Sequence, residues 1–329
     1  MHLFPELPYE SFPFNITAGA DGHMWFTETD GNRIGRITGA GVLTEFPIPT
    51  ADSAPNGITA GPDGNIWFTE SSGNKIGRIT PSGAITEFPL PTAAGQPKRI
   101  TAGADGNLWF TEGTGNKIGR ITPSGAITEF PIPTAESEPN GITAGPDGNI
   151  WFTEFSGIGR LALTGDFTPG EGGLESELIA AHTITQFPTE MPEATFQASI
   201  TAGPDGNLWF TETQAGRIGR ITPSGTITIF VEGIARNEIG SAPDGITAGP
   251  DGNLWFADGD ANRIGRITPS GEVTEFPTPD YEPSGVAAQG DVIWFTERKG
   301  NRIGWIRARS RAQVGLDRPP GPVVGLSGG

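Results

Sequence analysis

Seven residues in this chain share one place in a repeating phrase yet differ in chemistry: Phe14, Asn56, Lys98, Asn140, Ala198, Asp244 and Ser284. The first six lie eleven residues before a Trp of a recurring Trp-Phe pair, and the last lies ten before its own. Variation at one site of a copied unit is what a ligand-facing position leaves behind, so Phe14, Asn56, Lys98 and Asn140 are candidate ligand contacts. Drift at a solvated loop would leave the same trace. Two carboxylates stand at or beside these sites, Asp244 and Glu282. With oxygens from Asn56, Asn140, Ser284 and Glu138 they make an all-oxygen set of the kind hard cations take, which makes Asp244 and Glu282 the candidate ligands of Mg2+ or Ca2+. The chain has no Cys, so thiolate metal sites, disulfides and Cys nucleophiles are excluded. Any joint chemistry at seven sites scattered over 270 residues needs a fold that turns them toward one centre.

The repeat supplies such a fold. Trp-Phe occurs at Trp25, Trp67, Trp109, Trp151, Trp209, Trp255 and Trp294, with spacings of 42, 42, 42, 58, 46 and 39. A period near forty marks a repeat architecture. In the second copy four short segments rich in Ile, Thr, Trp and Phe are expected as strands: Gly57 to Ala60, Asn65 to Glu70, Lys75 to Thr80 and Ala84 to Pro89. Turn residues separate them, among them Asp63-Gly64 and Ser82-Gly83, and no helical period intervenes. Seven copies predict an all-β, seven-bladed propeller of four-stranded antiparallel blades. The last copy stops after its third strand, Arg302 to Arg307, and Leu3 to Pro8 reads as the missing fourth. The N-terminal strand is therefore expected to complete the last blade and close the ring, leaving no open edge there.

A four-residue loop at Ser71 to Asn74 sets Trp67 opposite Arg78, Phe68 opposite Gly77 and Glu70 opposite Lys75. The recurring Arg is read as architectural, lying over the indole, with Trp305 pairing Trp294 in the last copy. The Glu that ends most second strands (Glu28, Glu70, Glu112, Glu154, Glu212, Glu297) is likewise read as a feature of the repeat.

The propeller is expected over residues 1–310, with an insertion at about 162–183 in the fourth blade and a disordered tail over 311–329. Residues 175–182 of the insertion are compatible with a short helix or a mobile loop. A net charge of −17 argues against nucleic acid and anionic membrane as partners. No apolar run is long enough to span a bilayer, and the opening MHLFPELPYE lacks the features of a signal peptide, so a cytoplasmic location is expected; the acidic surface and closed ring suggest a monomer.

The phrases GITAGPDGNLWFTE and GNRIGRITPSG, followed by EFPIPT, resemble the repeat of the streptogramin B lyase (virginiamycin B lyase) family, from Leu3 to Arg307. The resemblance implies a seven-bladed propeller that opens cyclic depsipeptide esters by elimination with Mg2+. It also implies catalytic groups at the ring centre, just before the first strands of the last two blades. There the family carries Pro-His and Glu-Pro-His, with a Tyr at the same place in the first blade. This chain has Pro243-Asp244, Glu282-Pro283-Ser284 and Phe14. The resemblance thus assigns Asp244, Glu282 and Ser284 to the catalytic positions, without imidazole. The histidines present, His2, His23 and His182, fall in the N-terminal strand, a hairpin turn and the insertion. Elimination needs a base for the proton beside the carbonyl, a task suited to neutral imidazole near pH 7 and not to Ser.

Three functions follow. The first is a binding or scaffold propeller, or a diverged member without streptogramin lyase activity, holding a small molecule or a protein at the ring-centre face. The second is a Mg-dependent carbon–oxygen lyase. The third is a repeat-amplified or consensus-like propeller with no specific activity. The missing imidazoles favour the first and third.

Overall fold

A computed structural model describes residues 1–8, 11–155, 157–163, 182–189, 197–234, 242–279 and 281–308. Among these residues, 28 strands form seven separate four-stranded antiparallel sheets, and no helix is present. In the second blade the strands are Pro55–Ala60, Ile66–Glu70, Lys75–Ile79 and Ile85–Pro89. The turn between the first two places Gly64 at a φ of 76°, which a side chain would strain. The first strands touch in chain order, and the first strand of the seventh blade (Pro283–Gln289) returns to that of the first blade (Pro13–Ala18), closing the ring.

The N-terminal segment completes the last blade as expected. His2–Leu3 pairs antiparallel with Arg302–Arg307, and Phe4 and Leu7 continue the ladder through the carbonyls of Ile303 and Asn301. The regular strand is shorter than the expected Leu3 to Pro8. The inserted stretch lies between Gly157–Leu161 and Ile184–Pro188, the third and fourth strands of the fourth blade. The expected helix or loop over 175–181 and the tail over 311–329 lie outside the described residues.

In six blades the Trp packs on the Phe of its own fourth strand, as Trp67 does on Phe88 at 5.6 Å. The predicted register holds: Trp67 faces Arg78, Phe68 faces Gly77 and Glu70 faces Lys75. Arg36, Arg78, Arg160, Arg220 and Arg266 lie 5.3 to 5.8 Å from the centres of their Trp rings. Four of them also donate to a Pro carbonyl in the next blade, Arg78 to Pro123 at 2.9 Å for example. The Arg is architectural, joining one blade to the next. An Asp from the preceding turn accepts from each of six indoles, Asp63 from Trp67 at 3.0 Å. In the seventh blade Trp294 and Trp305 face each other in register, but the N-terminal segment supplies their stacking partners. Phe4 lies on Trp294 at 5.6 Å, and His2 lies on Trp305 at 5.3 Å.

Candidate functional site

In six of the seven blades the variable residue sits in a bulge. In the second blade Pro55 pairs Glu70 and Ile58 pairs Phe68, so Asn56 and Gly57 together face Thr69. The same shift occurs in the first, third, fifth, sixth and seventh blades. A bulge re-aims a side chain out of the pleat. At the second bulge position glycine recurs because the next blade comes too close: a Cβ on Gly57 would lie 2.7 Å from the Lys98 carbonyl oxygen, and one on Gly245 would lie 2.5 Å from that of Ser284.

A buried threonine fixes the bulge in the first, second, third, fifth and seventh blades. Thr69 Oγ1 accepts from the Gly57 amide at 2.8 Å and donates to the Lys98 carbonyl of the next blade at 2.7 Å. Thr27, Thr111, Thr211 and Thr296 make the same two bonds, reaching Asn56, Asn140, Asp244 and Phe14 of the following blades. Phe14, Asn56, Lys98, Asn140 and Asp244 are therefore held by their main chain, and their side chains are left to the centre. The sixth blade has Ala257 at the Thr position. There a side-chain bond joins the blades instead: Ser284 Oγ donates to Asp244 Oδ2 at 2.6 Å.

These side chains surround a cavity of about 340 Å³ lined by Phe14, Asn56, Lys98, Arg99, Asn140, Ala198, Asp244 and Arg298, together with Ser71, Gln96, Thr213 and Ala242. Six of the seven variable positions line it. The seventh, Ser284, is 1% exposed and bonded to Asp244. Glu282 is placed elsewhere, ion-paired with Arg298 at 3.8 Å and with Lys299. A second hollow of about 550 Å³ adjoins the first, lined by Gln96, Lys98, Gly113, Asn116, Glu136 and Glu138 among others. Lys98 belongs to both. Its stem lies on Gly113, where a Cβ would come 2.3 Å from its Cε. Other blades carry Thr29, Ser71 or Thr213 at this place, each donating to a Pro carbonyl of the next blade.

Arg99 and Arg298 were not among the expected site residues. Arg99 Nη2 donates to Asp244 Oδ1 at 3.3 Å, and its guanidinium lies 4.8 Å from the centre of the Phe14 ring. Arg298 approaches the same ring at 5.7 Å. Burial pulls Lys98 and Arg99 below their ordinary pKa values, with Glu138 opposing this at Lys98 and Asp244 at Arg99. A sequence signal existed for Arg99: the second bulge position is Asn, Gly, Gly, Ser, Gly and Gly in the other copies.

A hard divalent cation needs several oxygens converging without competing cations. Among the described residues no three His, Cys, Asp or Glu side chains are grouped to hold one. Asp244 is engaged by Arg99 and Ser284, and Glu282 by Arg298 and Lys299. These residues do not fit Mg2+ or Ca2+. His182 packs against Phe130 at 4.7 Å, at the outer strand of the third blade, and His2 on Trp305, so neither reaches the cavity.

The terminal Glu side chains are features of the repeat. Glu28, Glu70, Glu112, Glu212 and Glu297 are fully buried and Glu154 nearly so. Burial pushes Glu28, Glu70, Glu154 and Glu297 up to about 7. Glu112 is pushed up to about 8 by burial and then by the charge of Glu129.

Seven four-stranded sheets in a closed ring define a seven-bladed β-propeller. The chain matches the Virginiamycin B lyase family over residues 2–186 and 167–315, and it belongs to that family. It is similar to selenomethionine-substituted virginiamycin B lyase from Staphylococcus aureus, with 38% identity, a TM-score of 0.82 and coverage of 93% of this chain and 98% of that one. A catalytically inactive histidine-to-alanine variant of that lyase with quinupristin matches at 38% identity and a TM-score of 0.81, covering 92% and 97%. A streptogramin B lyase structure matches at 35% identity and a TM-score of 0.79, covering 92% and 95%. No curated protein matches the chain.

Proposed function

We propose that this protein is a binding member of the virginiamycin B lyase family, which holds a small molecule at the hub face and does not eliminate streptogramins. The observation that carries this is the state of Asp244. Both of its oxygens already accept, Oδ1 from Arg99 and Oδ2 from Ser284. To take a proton from a substrate carbon it must first give up one of these bonds. Ser284 is committed as the donor to Asp244, so it offers no base in its place. The histidines that lie among the described residues pack away from the cavity or in a turn. The relative that lost a single histidine is described as inactive while still being seen with quinupristin, which supports binding without turnover.

The test is incubation with a streptogramin B antibiotic and Mg2+, followed by mass spectrometry and chromatography for the linear isomer. No turnover above the uncatalysed background is expected. Accumulation of a ring-opened product of unchanged mass, lost in an Asp244→Ala variant, would refute the proposal.

A further inference from the structure

The molecule carries a net charge of −17, yet its hub cavity is lined by three cations and one carboxylate. Asp244 is the one carboxylate in that lining, while Glu282 ion-pairs Arg298 from outside it at 3.8 Å and Glu138 lies near Lys98 in the adjoining hollow. The corresponding positions of the other blades are neutral apart from Asp244 itself, so the repeat architecture does not require this charge. Each cation also displaces something the repeat provides. Arg99 replaces a small bulge residue, and Arg298 replaces the hydroxyl that elsewhere bonds to the next blade.

The protein leaves the two guanidinium groups incompletely satisfied. Asp244 meets Nη2 of Arg99 only, at 3.3 Å. Nε and Nη1 of Arg99 and Nε of Arg298 are buried with no protein acceptor. A buried donor without an acceptor is costly, and one attached to a charge is more so. Phe14 lies against both guanidinium groups, at 4.8 and 5.7 Å, and holds them toward the same space. Aromatic support of this kind orients a guanidinium for carboxylate recognition.

We infer that the hub cavity binds a small organic anion, a carboxylate with an apolar body. Its acid group accepts from Arg99 and Arg298, and its apolar part lies on Phe14 and Ala198. This rests on the hub being the binding face and adds the charge and class of the ligand. Asp244 then acts as an internal competitor for Arg99, and not as a base or a metal ligand. The consequence is a sign that a cation site would not share: removing the Asp244 charge strengthens ligand binding.

Calorimetric titration at pH 7 and low salt, with sodium benzoate, inorganic phosphate, benzamide and benzamidine as probes, tests this. Benzoate is expected to bind with a Kd of about 1 mM, typical of a small ligand with few contacts, and the neutral and cationic analogues at least tenfold more weakly. Arg298→Gln should weaken benzoate about tenfold, and Asp244→Asn, which keeps one acceptor oxygen for Arg99 and offers its amide N–H to a Ser284 hydroxyl turned round to accept, should tighten it at least threefold. The gain in Asp244→Asn cannot come from misfolding. No heat with benzoate, or weaker binding in Asp244→Asn, overturns the inference. Binding of phosphate alone overturns the organic class and leaves an inorganic oxyanion site. Tighter binding of benzamide or benzamidine overturns the anion and leaves the hub as a binding face intact.

Discussion

Replacing Glu112 with Gln should change the pH dependence of stability in a direction opposite to that of most acidic side chains. In the folded protein the Glu112 carboxyl is pushed up to about 8, from an ordinary value of 4.5, by burial and by Glu129. Between these values the folded chain holds a proton that the unfolded chain has released. Stability therefore falls as pH rises from about 4.5 to about 8, because the unfolded state gains by ionising. At about 1.4 kcal/mol per pH unit, the full shift is worth about 5 kcal/mol, and relaxation around the buried group reduces this to about 2–5 kcal/mol. Unfolding entropies of globular proteins put a chain of this size near 0.7 kcal/mol per degree, so the loss amounts to about 3–7 °C in Tm. Glu112→Gln cannot ionise and escapes this loss. Thermal melts of both proteins at half-unit steps from pH 5 to pH 9 should show the variant gaining on the wild type by that amount. The other raised carboxyls titrate in both proteins and cancel in the difference. Curves that stay parallel within about 1 °C across the range would refute the buried, protonated state of Glu112.

Thr111→Val should cost about 1–3 kcal/mol, since it strands the Arg99 amide and the Asn140 carbonyl, and equilibrium denaturation measures it. Ala257→Thr should do the reverse and add about 1 kcal/mol, supplying the sixth blade with the hydroxyl that the others use. Removing residues 1–8 uncovers the Arg302–Arg307 strand and the pocket filled by Phe4 and Leu7. A loss of about 3–6 kcal/mol and association through the bared edge are expected, read by melting and by size-exclusion chromatography. Gly113→Ser should move the Lys98 stem out of the hub cavity, weakening benzoate about threefold while leaving Tm unchanged or higher.

The blades, their register and the closure by the N-terminal segment were legible because each follows from local rules repeated seven times. A hairpin loop of fixed length places Trp67 opposite Arg78 wherever the phrase occurs, so one correct pairing is correct throughout. The bulges were not anticipated, although Gly57, Gly245 and Gly285 marked them. The hub positions were visible as the places where copies disagree. Their partners were not, for a physical reason. Aligning copies compares equivalent residues, whereas Arg99 meets Asp244 across 145 residues of chain, from the third blade to the sixth. Glu282 likewise pairs with Arg298 and Lys299 from the following hairpin, so the expected meeting of Asp244 and Glu282 at a metal is replaced by two separate ion pairs. Similarly, the aromatic pair expected of Trp294 and Trp305 is joined by rings from the chain's opposite end.

The threonines of the bulges, Thr27, Thr69 and Thr111 among them, grip only main-chain atoms, the amide beside one hub residue and the carbonyl of the next. The joints of the ring are thus indifferent to which side chain hangs from Asn56, Lys98 or Asn140. Randomising these positions in a library would alter what the opening accepts while sparing the clasps beneath. The scaffold is, in that sense, a frame with interchangeable fingers, and its specificity is open to rewriting one sector at a time.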